Sequence, residues 1–480
     1  MAILVRLKSL SRSFTTLSPA PLRICVVGSG PAGFYTAEKL LKAHEGVEVD
    51  IIDRLPTPFG LVRSGVAPDH PETKVVLSYG AESDRSLGIH GEELSGIHAA
   101  REFVWWYNGH PDCRNLAPDL KSSDTAVILG QGNVALDVAR VLLRTTTELA
   151  RTDIASHALA ALEGSSIRRV FLVGRRGPVQ AAWTAKELRE ILGINLDIRI
   201  QQADLVTTPA DEIEMKSSRI RKRVYELLSR AANPGTSSLS NQRELHFVFF
   251  HRPEKFLDSE DKSGHLAGVR LEKTILKGNQ RELHFVFFHR PEKFLDSEDK
   301  SGHLAGVRLE KTILKGDEQA KQVAVGTGVY EDISIALKSI GYKSLAIDGL
   351  PFDNHKGIVP NIGGRVLGNV LQDESKCATG LYVCGWLKRG PTGIIGTNLY
   401  CAEETLACIS DDIHKGVLSS DSSKPGGQGL LQLLNSRRIR VVPFCGWERI
   451  DAEERRRGNL EGKPRQKLTT WEELLEVGCG

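Results

Sequence analysis

At 480 residues, with 40% apolar and 26% charged side chains, the chain is long enough for two or three domains with their own cores. Its formal charge of +3 names no nucleic-acid partner. No apolar run approaches the ~20 residues that a membrane helix requires, so no transmembrane segment is expected; peripheral attachment to a membrane surface is left open.

The first 22 residues differ from the rest. They carry Arg6, Lys8 and Arg12 among many hydroxyl residues, and the first carboxylate of the chain is Glu38. That composition predicts a transit peptide over residues 1–22 rather than a disordered tail, mitochondrial ahead of plastid, outside the folded protein.

From Arg23 a strand, Ile24 to Val27, runs into Gly28-Ser29-Gly30-Pro31-Ala32-Gly33 and a helix over Phe34 to Lys42. A second strand, Val47 to Ile52, ends on Asp53. This is the G-x-G-x-x-G turn of a dinucleotide-binding unit. Gly28 permits the tight turn, Gly30 lets backbone approach a pyrophosphate, and Gly33 permits close helix packing. An acid at Asp53, twenty residues on, suits the two hydroxyls of a ribose.

A second cycle follows: strand Thr125 to Leu129, the turn Gly130-Gln131-Gly132-Asn133-Val134-Ala135, helix Val134 to Leu143, then strand Val170 to Val173. The strand ends in Arg175 and Arg176, where the first unit has its acid. Guanidinium forks at that place accommodate a 2′-phosphate, which favours NADP(H) over NAD(H). Two such units predict an α/β fold with parallel sheets and two different dinucleotides. Nicotinamide delivers hydride and flavin accepts it, so FAD is the expected first cofactor. No catalytic base and no metal site are called for.

The C-terminal third adds a strand, Gly380 to Cys384, a glycine loop and a helix from about Thr397. The eight cysteines form no C-x-x-C, which predicts unpaired, mostly buried thiols and argues against a thiol or disulfide reductase. Residues 241–278 and 279–316 are the same 38-residue string. Two identical copies fit a recent duplication or a misassembled gene better than a solenoid. The second copy is expected to be looped out or paired at a sheet edge.

The turn at Gly28–Gly33, Pro58 to Arg63, Gly65 to Pro71, the turn from Gly130 to Asp137, Val173 to Pro178, and Gly385-Trp386-Leu387-Lys388-Arg389-Gly390-Pro391-Thr392-Gly393 resemble the adrenodoxin reductase family. That resemblance covers nearly the whole chain after the leader, in order. It implies two Rossmann-like domains of glutathione-reductase type, with a discontinuous FAD domain over 23–84 and 351–480. The NADP domain would be 85–350 and contain the duplicated segment. It implies hydride transfer from NADPH to FAD, then single electrons to a small acidic [2Fe–2S] ferredoxin in the mitochondrial matrix.

By the same resemblance FAD would touch Ala32, Asp53, Leu61, Trp386 and Gly393, Ile394 and Ile395. NADP would touch Gln131, Gly132, Asn133 and Val134, with Arg175, Arg176, Glu187 and Gly393. His70 and Asp137 match positions near the flavin, as a proton relay or a structural pair. Lys216, Arg219, Arg221, Lys222, Arg223 and Arg230, on a helix predicted over Ser217 to Arg230, would face the ferredoxin. A glutamate-synthase-type subunit would carry cysteine-rich strings that are absent. The chain departs from the family after Lys74, where a helix, a strand and a loop are missing. With the duplication, this raises the alternative of an impaired isoform that does not hold FAD.

Overall fold

The structure, a computed structural model, describes residues 2–8, 22–65, 67, 81, 83–232, 243–258, 266–274, 288–296, 304–315, 321–330, 335–368, 377–393, 395–418 and 426–479. The stretch around Lys74, with His70, lies outside the described residues. In chain order the first elements are β1 (Ala2–Lys8), β2 (Arg23–Val27), α1 (Pro31–Ala43), β3 (Glu48–Asp53), α2 (Gly60–Ser64) and β4 (Ser83–Asp84). Then come β5 (Ile97–Ala99), α3 (Ala100–Tyr107), β6 (Thr125–Leu129), α4 (Asn133–Leu143), α5 (Thr146–Leu149), α6 (Ser156–Glu163) and β7 (Arg169–Val173). They are followed by α7 (Ala185–Leu192), β8 (Asp197–Ile200), α8 (Pro209–Ser217), α9 (Arg219–Ala231) and β9 (Glu244–Val248).

The duplicated region holds β10 (His251–Asp258), β11 (Leu266–Thr274), β12 (Phe288–Asp296) and β13 (Leu304–Lys315), and β14 (Lys321–Tyr330) follows it. The rest is β15 (Ile335–Lys338), β16 (Tyr342–Lys343), β17 (Asn361–Ile362), β18 (Arg365–Leu367), β19 (Cys377–Tyr382), α10 (Trp386–Arg389) and α11 (Thr397–His414). The chain closes with α12 (Gly426–Ser436), β20 (Val441–Pro443), α13 (Phe444–Leu460) and α14 (Trp471–Cys479).

Two compact units result, one of residues 1–84, 108–114 and 342–480, the other of 85–107 and 115–341. In the first, β2 and β3 pair in parallel, and α1 packs Ala37 and Leu40 onto Val49 and Ile51 of β3. Trp447 and Ile450 of α13 and Leu474 and Leu475 of α14 close the same core. Pro31 opens α1 because its missing N–H costs nothing in a first helical turn. The outer edge of β3 is taken by β1, antiparallel from Ile3↔Asp53 to Lys8↔Glu48, and β1 also runs parallel to β20. The segment whose composition marks it as a leader is therefore a strand of this sheet.

In the second unit six strands lie in the order β5-β15-β6-β7-β9-β8, and every pairing is parallel. Thr125–Leu129 is buried at every residue, as a parallel strand covered on both faces must be.

The first copy supplies β9 to the six-stranded sheet. The described strands of the second copy pair at the edges of neighbouring strands in a separate sheet, β12 with β11 and β13 with β14. Identical sequence repeats the same hairpin: His251↔Lys273 in β10–β11 recurs as His289↔Lys311 in β12–β13. Both copies then pair with β14 at the same residues, Val269 and Val307 each facing Tyr330. A strand has two edges, and β14 uses one for each copy. Among the described residues no helix is long and apolar enough to cross a membrane.

Candidate functional site

The first glycine turn is held from below. Gly28 has φ 106° and donates its N–H to Ile52 O at 2.7 Å. Gly30, the residue before α1, offers no side chain to cap it, so amides of the first helical turn remain available to an anion. Asp53 does reach this turn. Its Oδ2 accepts from Ser29 N and Oγ at 2.7 and 2.8 Å, and Oδ1 accepts from Leu55 N at 3.0 Å. Two carboxylate oxygens carry about four acceptor positions, so a ribose hydroxyl can still be served.

Leu61 stands in α2, whose preceding residue Phe59 has φ 78° and donates its N–H to Ser29 O at 3.0 Å. Phe59 stacks on Phe34 at 5.6 Å and meets Trp447 edge-on at 5.9 Å. Arg63 then makes a paired bond to Glu454, at 2.9 and 2.5 Å, and its guanidinium lies over Trp447. Glu454 has no exposed surface. Burial alone would raise its carboxyl, but Arg63, the Leu468 N–H and Arg465 outweigh that and hold it below the ordinary value. Sequence reasoning missed this anchor, whose partners stand 391 residues apart.

Trp386 opens α10 between Gly385 (φ 70°) and Gly390 (φ 82°). The loop meets the first turn through a cluster of Ala32, Cys384, Cys401 and Ala402. Gly393, expected at both cofactors, has φ 83° and belongs to this first unit; a Cβ there would stand 2.7 Å from Thr397 Oγ1. Ile395 is described and accepts from Asn398 N at 3.0 Å, whereas Ile394 lies outside the described residues.

The cysteines correct one expectation. None forms a disulfide, but only Cys384 and Cys401 are buried, while Cys25, Cys377, Cys445 and Cys479 are exposed. The fold also brings two thiols together that sequence spacing kept apart. A hydrogen bond from Cys384, with the Gly385 N–H at 3.1 Å, draws the Cys401 thiol below its ordinary value against its burial.

The second turn repeats the first with different chemistry. Gly130 has φ 138°, and a Cβ on it would stand 2.0 Å from Ser339 O. At Gly132 an added Cβ meets nothing within 4 Å, so open space lies over the backbone that precedes α4. No side chain caps α4 either. Gln131 lies against Gly174 and its O accepts from Ala182 N at 2.9 Å; Asn133 Oδ1 accepts from Thr184 N at 2.8 Å, and Val134 sits in the first turn of α4. Arg175 and Arg176 follow β7 with accessible side chains, and neither closes an ion pair among the described residues.

Glu187, one turn into α7, lies 3.8 Å from Arg140 of α4. Arg140 is fully buried and also bonds Asp137 at 2.9 Å and Glu190 at 3.1 Å. Asp137 therefore serves an ion pair inside the second unit. An arginine within the apolar run Val138 to Leu143, three residues after an acid, was the signal for this network. The basic helix also differs from expectation: Lys216 lies in the last turn of α8, which ends at Ser217, and the break at Ser218, whose hydroxyl caps Arg221 N, starts α9 at Arg219. No group of side chains able to hold a metal occurs among the described residues.

Comparison with known proteins agrees with this architecture. A family profile described as an NAD(P)-binding Rossmann-like domain matches residues 26–86. The chain is 57% identical over 512 residues to the mitochondrial NADPH:adrenodoxin oxidoreductase of Arabidopsis thaliana, covering 98% of each. With the human mitochondrial enzyme of that name the identity is 41%, over 98% of this chain and 94% of that one. The solved structure of Mycobacterium tuberculosis FprA in complex with NADPH superposes with a TM-score of 0.77 at 32% identity, covering 96% of this chain and all of the other. The first alignment is longer than the chain itself, so it opens gaps here, as a missing segment requires. By identity and coverage the chain belongs to the NADPH:adrenodoxin oxidoreductase family.

Proposed function

We propose that the protein carries electrons from NADPH to a small acidic [2Fe–2S] ferredoxin, with FAD held in the first unit and NADP(H) in the second. The observation that carries this reading is the pair of uncapped glycine turns, one answered by Asp53 and the other by Arg175 and Arg176. FAD, when bound, supplies the conversion between a two-electron donor and one-electron acceptors.

In the first unit the amides of α1 face the pyrophosphate, and Asp53 takes ribose hydroxyls while holding Ser29. Leu61, Trp386, Gly393 and Ile395 border the same cofactor. In the second unit Gln131 to Val134 approach the NADP pyrophosphate, Arg175 and Arg176 grip its 2′-phosphate, and Glu187, 3.8 Å from the Arg140 anchor, borders the same cofactor. The exposed cations Arg219, Lys222 and Arg230 give the ferredoxin a basic face. Such faces steer encounter more than they add affinity, so turnover should fall as ionic strength rises. The relatives named above are mitochondrial, and with the basic, acid-free composition of the first 22 residues they support a mitochondrial matrix location.

The test is the visible spectrum of the purified protein, followed by cytochrome c reduction by NADPH. A yellow protein whose reduction of cytochrome c depends on added ferredoxin supports the reading. A colourless protein that FAD does not reconstitute identifies the impaired isoform instead.

A further inference from the structure

The cations of α9 divide between two faces. Arg219 and Lys222 are exposed, and Arg223 pairs with Glu226 at 3.2 Å. Arg221 stands in line with Val224 and Leu228, the buried residues of the helix, three and seven positions on. There its Nη1 meets Glu214 Oε1 of α8 at 2.6 Å.

The other oxygen of Glu214 accepts from Gln180 Nε2 at 2.9 Å. Gln180 ends the short 3-10 turn over Pro178–Gln180, directly after Arg175-Arg176-Gly177, and donates its N–H to Gly177 O at 3.2 Å. It also reaches Asp211 at 2.6 Å, but that carboxylate is turned into the cap of α8, where it accepts from Thr208 N and Oγ1. These contacts lead from Arg221 to the arginine turn within one unit. The field agrees with the contacts: Arg176 is held below its ordinary value by partial removal from water, then by Arg175 and Arg221, with Glu214 opposing.

Through Glu214 and Gln180 the contacts thus lead from Arg221 to the Arg175-Arg176 turn, and among the described residues Glu214 closes an ion pair with Arg221 alone. Like charges gathered without enough counter-charge are unfavourable until an anion arrives. We propose that Arg221 is a third arm of the 2′-phosphate site, and that Glu214 is the carboxylate it leaves when the phosphate binds. The inference rests on the NADP reading of Arg175 and Arg176. It makes Arg221 a cofactor-specificity residue and takes it out of the ferredoxin face to which its charge would assign it. Glu214 keeps its Gln180 bond when released, so the exchange strands no buried charge.

The test uses the holoenzyme with ferricyanide as acceptor, which bypasses ferredoxin. Arg221→Gln should raise KM for NADPH about tenfold with kcat little changed, the size expected for one charge-assisted contact. Its kcat/KM with NADH should stay at the wild-type value, which also reports that the fold is intact. Arg221→Lys should recover part of the loss, because charge returns without the planar fork. An equal loss with NADPH and NADH, or a change confined to KM for ferredoxin in the cytochrome c assay, overturns the proposal. Arg175→Ala separates the two levels. If it leaves the preference for NADPH untouched, the underlying assignment of the turn fails; if it lowers that preference and Arg221→Gln does not, only the third arm fails.

Discussion

The two glycine turns share a backbone and differ in how their charges stand before any cofactor arrives. In the first unit the acid is already engaged: Asp53 holds Ser29 and Leu55 and helps to shape the turn it serves. In the second the arginines follow the end of β7 and close no ion pair among the described residues, and the turn is shaped by packing, with Gly130 against Ser339 O. The anchors behind them differ too. A buried carboxylate, Glu454, holds the Arg63 loop in the first unit, and a buried guanidinium, Arg140, holds the acids of α4 and α7 in the second. The first site couples ligand geometry to fold stability, whereas the second keeps the two largely separate.

The sharpest break of this comparison is a pair of substitutions in the second turn. Gly130→Ala places a Cβ 2.0 Å from Ser339 O at φ 138°. Strain and overpacking together should cost on the order of 4 kcal/mol. Gly132→Ala, two residues on, meets nothing within 4 Å. It should melt like the parent while losing NADPH, because the methyl occupies the space backbone leaves for the pyrophosphate. Thermal melts beside NADPH titrations distinguish them. Equal melting of the two variants would show that packing does not shape this turn.

In the first unit the next largest effect belongs to Glu454→Gln. Removing one partner of a buried ion pair leaves the other uncompensated, typically about 3–5 kcal/mol. The sign with pH follows from the depressed carboxyl. Its contribution is complete above the ordinary value of 4.5 and is lost as pH falls through the lower folded value. Urea unfolding from pH 7 down through the acid range should show the parent losing stability more steeply than Glu454→Gln. Parallel curves would remove Glu454 from this role.

Asp53→Asn tests the coupling itself. The amide keeps an oxygen for Ser29 but loses the charge, so both the turn and the FAD affinity should weaken, by roughly 1–3 kcal/mol. The check is flavin content after dilution, read with the melting temperature of the stripped protein. A change in flavin content with no change in melting would make the first turn as decoupled as the second.

What the sequence disclosed, and what it hid, follows the range of each interaction. The strand–turn–helix units were legible because Gly28–Gly33, Asp53, Gly130–Gly132 and Arg175-Arg176 lie within one local spacing. The anchors were not, because Glu454 meets Arg63 and Cys401 meets Cys384 only after the chain has folded back. The leader's composition concealed a strand that β3 and β20 both accept. Charge counting placed Arg221 with its neighbours, and only the helix face separates it from them.

Helix capping gives the smallest effect and isolates what an open N-terminus is for. Helices α1 and α4 begin on glycine without a capping side chain, whereas α8 begins on Thr208, whose Oγ1 accepts from Asp211 N at 3.2 Å. Thr208→Ala should cost about 1 kcal/mol, as lost N-caps do. A free-amide turn at α1 or α4 carries a similar deficit that an anion can fill, whereas α8 is already satisfied by its own chain. FAD should therefore stabilise the parent and Thr208→Ala by equal increments in urea, since the cap belongs to the second unit. A smaller increment from NADPH alone would mean that the cap, whose Asp211 also accepts from Gln180, helps to hold the Arg221–Glu214 pair in place.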